Sequence, residues 1–448
     1  MTNSLNFRIP NIIANDHILT YFYYILFIFI LNSLIFHQEI NATDESFFVN
    51  NFFEKLKYDS NSLLIDFPNS NITNLTNNKE DSIYAQIGAF ENNVYVVWQE
   101  SVSKDLPEHN YDILFIKSND KGKTFSMPIN LSNNTEFSER PQIAVSKNGI
   151  FIIWADKIDK NNKEIMFTKS LDNGATFSKV INISNTLKNS NRQEISAYNE
   201  NVYVVWQDTE QNNTNSSIMF KSSIDGGNTF NNSIELMNNT DDSFPKISSY
   251  DNYVYIVWNN ENKENSGLFF LRSSNQGDNF EKAIKIEYTN SGESQIAVNE
   301  NKVLVVWGGL DSKNIHNIYF VNSNDNGSTF TGLKTISEKI TGSSNTSDYN
   351  QLTKIIKNPL NVEVNNYNLS YIVWQDTISQ QNQDILLTLS NQTDNDYTKI
   401  LNLSNNIGVS ECPSIAISGN NVYVIWEDFI SGNHEILFSN IYLYPNIN

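Results

Sequence analysis

Seven residues recur at one fixed place, three positions ahead of an apolar residue that opens a β-branched run: Tyr84, Arg140, Arg192, Phe244, Glu293, Tyr349 and Cys412. Two arginines on successive copies, three aromatic rings and a carboxylate, gathered round one opening, suit a sugar or an acidic ligand. Rings stack on aromatic side chains and a guanidinium forks onto a carboxylate. A second recurring set is acidic. Glu100, Asp156, Asp208, Asp376 and Asp428 stand two places past a tryptophan, and the same copies tend to carry an acid, Asp112, Glu164, Asp384 or Glu435, before the next apolar run. Repetition by copy points to hydrogen bonding at strand ends, since catalysis needs one asymmetric site. Cation binding by paired loop carboxylates is the alternative, and metal occupancy stays open at this level.

The elements that must position these residues show in the spacing of tryptophan. All seven tryptophans, at 98, 154, 206, 258, 307, 374 and 426, mark copies of one unit, and an isoleucine lies eleven residues ahead of six of them (Ile87, Ile143, Ile195, Ile247, Ile296, Ile415). The remaining copy has Leu352, displaced by an insertion read as lying between its first and second strands. Self-similarity at a period of about fifty residues with short apolar runs predicts an all-β, seven-bladed β-propeller with four antiparallel strands per blade. The first two strands of each copy are apolar on both faces, as expected of strands pressed between neighbouring blades. In a propeller the first strand lines the axis, which places the seven-residue series at the channel mouth.

The last copy lacks a fourth strand. Asn71 to Asn78 (NITNLTNN) matches the fourth-strand sequences INLSNN at Ile129 to Asn134 and LNLSNN at Leu401 to Asn406. An amino-terminal strand is therefore expected to complete the last blade by pairing near Glu435 to Asn440, which leaves no bare edge in the ring.

A further marker is the octet Ser-x-Asp-x-Gly-x-Thr-Phe, built on Asp120, Asp172, Asp225 and Asp325, with altered copies at Ser273 to Phe280 and Ser390 to Tyr397. Its chemistry is that of a turn: Asp accepts from backbone amides and Gly takes positive φ. The octet resembles the Asp-box, or BNR repeat, of the sialidase-like propeller superfamily. That resemblance implies a structural box on the face away from the active site, and spans proteins of unrelated activity. A sialidase of this kind would need three clustered arginines, an Asp acid and a Tyr/Glu nucleophilic pair on six blades. Here seven copies hold only three arginines, and Arg272 lies in a third strand beside a box. Phe7 to Pro10 spells the FRIP signature of sialidases, but it precedes a hydrophobic span and so lies away from the propeller.

Residues 1–17 read as a short cytoplasmic segment, 18–36 as a transmembrane signal anchor with a cleaved signal peptide as the alternative, 37–70 as a stalk, 71–440 as the propeller and 441–448 as a tail. The propeller is then extracellular, or secreted if the segment is cleaved. Asn-x-Ser/Thr sequons, including Asn130, Asn182 and Asn402, agree with that side of the membrane, although so Asn-rich a chain forms them by chance. A formal charge of −20 argues against nucleic acid and anionic membrane surfaces as partners, leaving the amino-terminal helix as the membrane contact. The single cysteine allows no internal disulfide, no cofactor is implied, and the histidines show no metal-ligand spacing. The expected role is a displayed module that binds a glycan or a cell-surface protein. The alternatives are an exo-glycosidase using Glu293 or a rim Asp, and a structural component of the cell envelope.

Overall fold

The computed structural model describes residues 72–442, apart from 103–109, 136, 161, 211–215, 241–242, 261–265, 288–290, 311–315, 337–359, 365–368, 380–381, 391–396, 407 and 430–431. Within it, seven four-stranded antiparallel sheets form, each in sequence order except the last. The innermost strands contact one another in a closed cycle, so the sheets are the seven blades of a propeller. The expected span 18–36, the stalk and the tail lie outside the described residues. Among the described residues no helix is long and apolar enough to cross a membrane.

The cores lie between blades. Tyr95, Val97, Phe115 and Leu131 of the first blade pack on Ile150, Ile152, Trp154 and Met166 of the second. The same arrangement joins Phe151 and Phe167 to Trp206, and Tyr203 and Phe220 to Trp258. Each tryptophan is thus the plug between its own blade and the one before, which is why one indole per copy suffices. Truncating such a fully buried ring costs about 3 to 5 kcal/mol.

The Asp-boxes belong to the same seams. In the first box the Ser118 hydroxyl donates to Asp120 at 2.7 Å, while the Thr124 N–H and hydroxyl donate to the same carboxylate at 2.9 and 2.6 Å. These donors, led by the Thr124 hydroxyl, hold the Asp120 carboxyl down at about 2, and Asp225 and Asp325 are lowered alike. In the altered box the Asn275 amide oxygen takes the Ser273 hydroxyl at 2.8 Å and the Asn279 N–H at 3.0 Å, so the turn survives without charge. The closing Phe does more than tuck into its own blade. Phe125, Phe177 and Phe230 meet Phe438, Phe115 and Phe167 of the preceding blade edge to face, 4.9 to 5.2 Å between centroids. Gly122, at φ 78°, leaves no room for a Cβ, which would lie 2.4 Å from Phe438. A basic side chain completes the staple from the preceding blade, as Lys117 donating to the Asn173 carbonyl at 3.0 Å and Arg272 to the Asn326 carbonyl at 2.7 Å.

Ring closure follows the sequence expectation. Thr73 and Asn74 pair antiparallel with Phe438 and Leu437 of the strand Glu435–Tyr442, and Leu75 N–H donates to the Ile436 carbonyl at 2.8 Å. Sheet order in the last blade is therefore amino-terminal strand outermost, then the three carboxy-terminal strands.

One sequence reading is corrected by register. In blade six the inner strand is Leu360–Val364, with Val362 opposite Ile372, the position that isoleucines hold in the other blades. The extra residues therefore precede the inner strand instead of following it, and join it at the Leu360 end that pairs with Trp374. Leu352 does not start this strand, and Tyr349 lies outside the described residues. The fourth-strand sequons have a structural use as well. The Asn130 side-chain amide donates to Asp112 at 2.7 Å, and its oxygen accepts the Asn133 N–H at 2.8 Å. Asn402 donates to Asp384 and accepts from Asn405, and Asn182 accepts from Asn185, with Asn77, Asn133, Asn185 and Asn405 all at positive φ. Asn-x-Ser/Thr-Asn is here a fourth-strand turn that recurs because the blade does. A glycan on the Asn130 or Asn402 nitrogen would take one of the two N–H donors of that amide, beside Asp112 or Asp384.

Candidate binding site at the channel mouth

In five blades the rim residue, near the start of the inner strand, is forced into an unusual conformation. Tyr84, Arg140, Arg192, Phe244 and Cys412 have φ of 53°, 52°, 53°, 38° and 52°. Except at Phe244, these residues fall where the pairing of first and second strands shifts register, between Ile83 and Gln86, Glu139 and Gln142, Asn191 and Glu194, and Glu411 and Ser414. Such a bulge re-aims a side chain, at a cost of order 1 to 3 kcal/mol for each bulky residue held left-handed.

Side chains from the preceding blade stabilise that conformation. The residue just past Trp98, Trp206 and Trp374 reaches across the seam: Gln99 accepts the Arg140 N–H at 3.0 Å, Gln375 the Cys412 N–H at 3.4 Å and Gln207 the Ser243 N–H, beside Phe244, at 3.3 Å. Gln193 of blade three pins Arg140 from the other side by donating to its carbonyl at 2.6 Å. Arg140 is thus presented on a backbone fixed at both ends.

Blade seven makes the same clasp with an acid. Glu427 accepts the Tyr84 N–H at 2.6 Å across the closing seam. Burial, with Glu411 nearby, pushes its carboxyl up to about 8, although the Tyr84 N–H and His434 oppose the rise. His434 sits beside it, Nδ1 3.4 Å from Asp81 and Nε2 3.5 Å from Glu411, and the Glu411 contact leads in raising its pKa.

The mouth opens on a cavity of about 790 Å³ lined by Tyr84, Arg140, Arg192, Phe244, Glu293 and Cys412 with the inner strands behind them. The Arg140 guanidinium lies over the Tyr84 ring at 4.9 Å, and that of Arg192 over the Phe244 ring at 3.5 Å. Below them Lys246 bridges Glu194 and Glu293, the latter at 3.8 Å, and Gln142 donates to Glu194 at 3.5 Å. Burial raises the Glu194 pKa against the pull of Lys246, and the two carboxylates raise Lys246 against its own burial. Of the rim series, six members line one cavity and Glu293 is tied to a lysine.

Glu194 and Lys246 escaped the sequence reading, as did Gln99 and Glu427. Each stands in a repeating column, one place before the aligned isoleucine or one after the tryptophan, and those columns change from neutral to charged at these blades.

The acids two places past tryptophan serve the fold. Asp156 accepts the Trp154 indole N–H at 2.7 Å and the Ser138 hydroxyl at 2.6 Å; Glu100 and Asp208 do the same for Trp98 and Trp206. Asp376 takes the Trp374 N–H at 3.4 Å, and Asp428 takes the Ser410 hydroxyl at 2.8 Å. Asp112, Glu164, Asp384 and Glu435 hold the fourth-strand hydroxyls of Ser132, Ser184, Ser404 and Thr76. Asp156→Ala is expected to destabilise the protein by about 2 kcal/mol, because it leaves a buried indole N–H and hydroxyl without that acceptor. Asp156→Asn keeps an acceptor oxygen and should lose less. Equal melting temperatures for Asp156→Ala and the parent would refute this role.

Among the described residues no group of three or more His, Cys, Asp and Glu side chains is arranged to hold a metal ion. His109 lies outside them, and His434 is engaged by Asp81 and Glu411.

No family model and no curated protein matches the chain. Solved structures similar to it include a protein of unknown function from Dyadobacter fermentans, 12% identical, covering 83% of this chain and 99% of that one at a TM-score of 0.46. The Hadza microbial sialidase Hz136 is 14% identical over 81% of this chain and 66% of its own, with a TM-score of 0.48. Trypanosoma rangeli sialidase, as the covalent intermediate with 2,3-difluorosialic acid, is 10% identical over 83% and 59%, at 0.49. The chain spans less than two thirds of these sialidases. Likeness at this level carries nothing about activity, and the propeller assignment rests on the seven sheets themselves.

Proposed function

We propose that this propeller is a binding module, displayed outside the cell, that takes an acidic glycan at the channel mouth without turning it over. The observation that carries the reading is the pair Arg140 and Arg192, each laid on an aromatic ring at the rim of a polar cavity. Stacking fixes the plane of a guanidinium while its edge keeps N–H donors in the fork that matches a carboxylate. The acids nearby favour binding over hydrolysis. Glu194 and Glu293 share Lys246, and glycoside hydrolysis needs one carboxyl free to give a proton and another free to attack or to activate water.

Arg140→Ala with Arg192→Ala is expected to lower affinity for 3′-sialyllactose at least tenfold, as roughly 1.5 to 3 kcal/mol per charge-assisted contact implies. Melting temperature should move by a few degrees at most, since Arg140 is exposed and Arg192 only half-buried, and charges so placed contribute little to folding. Titration calorimetry on parent and variant decides it. Release of sialic acid by the parent, lost in the double variant, would make the exo-glycosidase reading primary.

A further inference from the structure

The two rim arginines turn away from each other. Round the ring the order is Tyr84, Arg140, Arg192, Phe244, on blades one to four, yet Arg140 leans back over Tyr84 and Arg192 leans forward over Phe244. The guanidinium groups therefore sit at the first and third seams, further apart round the ring than their backbones, with blades two and three between them. Arg140 is pinned through both its N–H and its carbonyl, and Arg192 shares its left-handed φ.

One carboxylate cannot accept a fork from both groups. We infer that the mouth has two anion subsites and that its ligand is an acidic polysaccharide, carrying carboxylates on more than one sugar unit, rather than a single terminal acid sugar. This rests on the proposed binding role and specifies its ligand. Each subsite joins a guanidinium fork to an aromatic ring, which suits a pyranose bearing a carboxylate. The floor between them is already balanced, with Lys246 set against Glu194 and Glu293, so it offers polar contact without demanding a third acid.

Three probes of equal backbone character test this on the full chain by calorimetry: galacturonic acid, trigalacturonate and the neutral maltotriose. Trigalacturonate is expected to bind at least about tenfold tighter than galacturonic acid, because the second contact is made within the complex. Arg140→Ala and Arg192→Ala should each bring the trimer down to the monomer's affinity, and maltotriose should not bind. Arg140→Lys, which keeps charge but not the fork, should fall between, and provides a folded comparison should the alanine variant lose structure. Equal affinity for monomer and trimer, or loss confined to one arginine, would overturn the two-subsite inference while leaving acidic-sugar binding intact. Binding of neither acid, or binding unchanged in the double variant, would remove the binding role as well. Triglutamate bound as tightly as trigalacturonate would reassign the mouth to acidic peptides and overturn the polysaccharide assignment.

Discussion

A chain beginning at Lys79 melts well below one beginning at Asn61, with a loss of about 5 kcal/mol. Removing Thr73 to Asn78 deletes the outermost strand of the last blade and with it the pairing to Leu437 and Phe438. It also deletes the Leu75 N–H bond to Ile436 and the Thr76 hydroxyl that donates to Glu435 at 2.5 Å and accepts the Ile436 N–H at 3.1 Å. Several bonds at about 1 kcal/mol net each, together with the burial of Leu75 against the seam formed by Trp98, Ile436 and Phe438, reach that figure. The bare Glu435–Tyr442 edge would then invite pairing with another chain. Light scattering on heating should show the shorter chain aggregating first. Equal melting temperatures would mean that the strand adds nothing to closure.

That closure was legible because the strand repeats a motif. Asn71 to Asn78 shares with Ile129 to Asn134 an Asn-x-Ser/Thr-Asn turn whose asparagine oxygen, hydroxyl and left-handed asparagine are all used again in the last blade. Blade count was legible for a similar reason: each seam needs one indole, so tryptophan counts the seams. Blade six misled because two apolar runs compete for the inner strand, LTKII and LNVEV, and only the pairing of Val362 with Ile372 decides between them. The rim was half legible. Counting back from isoleucine finds residues that line one cavity, but tyrosine, arginine and phenylalanine carry no preference for positive φ. At Arg140 and Cys412 that conformation is held by glutamines a blade away in space, Gln99 and Gln375, which lie 41 and 37 residues earlier in sequence. The acids two places past five of the tryptophans accept hydrogen bonds at strand ends, yet the informative column was the neighbouring one. There a glutamine in three blades gives way to Glu427 in the blade that closes the ring.

That substitution makes closure sensitive to pH. Glu427→Gln is expected to stabilise the protein by about 5 kcal/mol at pH 9 and to change little near pH 4.5. Gln would still accept the Tyr84 N–H, as Gln99 accepts that of Arg140, but would not ionise. In the folded protein the Glu427 carboxyl holds its proton up to about 8, against an ordinary value of 4.5. Between those limits the folded state binds more protons than the unfolded state, so stability falls as pH rises, by about 1.4 kcal/mol for each unit between the two values, and levels off above 8. The groups facing Glu427 are Tyr84, Cys412, Glu411 and His434. Of these His434 acts in the same direction, for its pKa is raised above 6.5 and its charge, set between Asp81 and Glu411, is lost as pH rises through the folded value. Thermal melts of parent and Glu427→Gln at pH 5, 7 and 9 separate the two. The parent should lose stability steeply from pH 5 to 9, and the variant should keep only the shallower slope of His434, centred above pH 6.5. Parallel curves for the two proteins would show that Glu427 is ionised throughout and that its clasp on Tyr84 is that of an ordinary carboxylate.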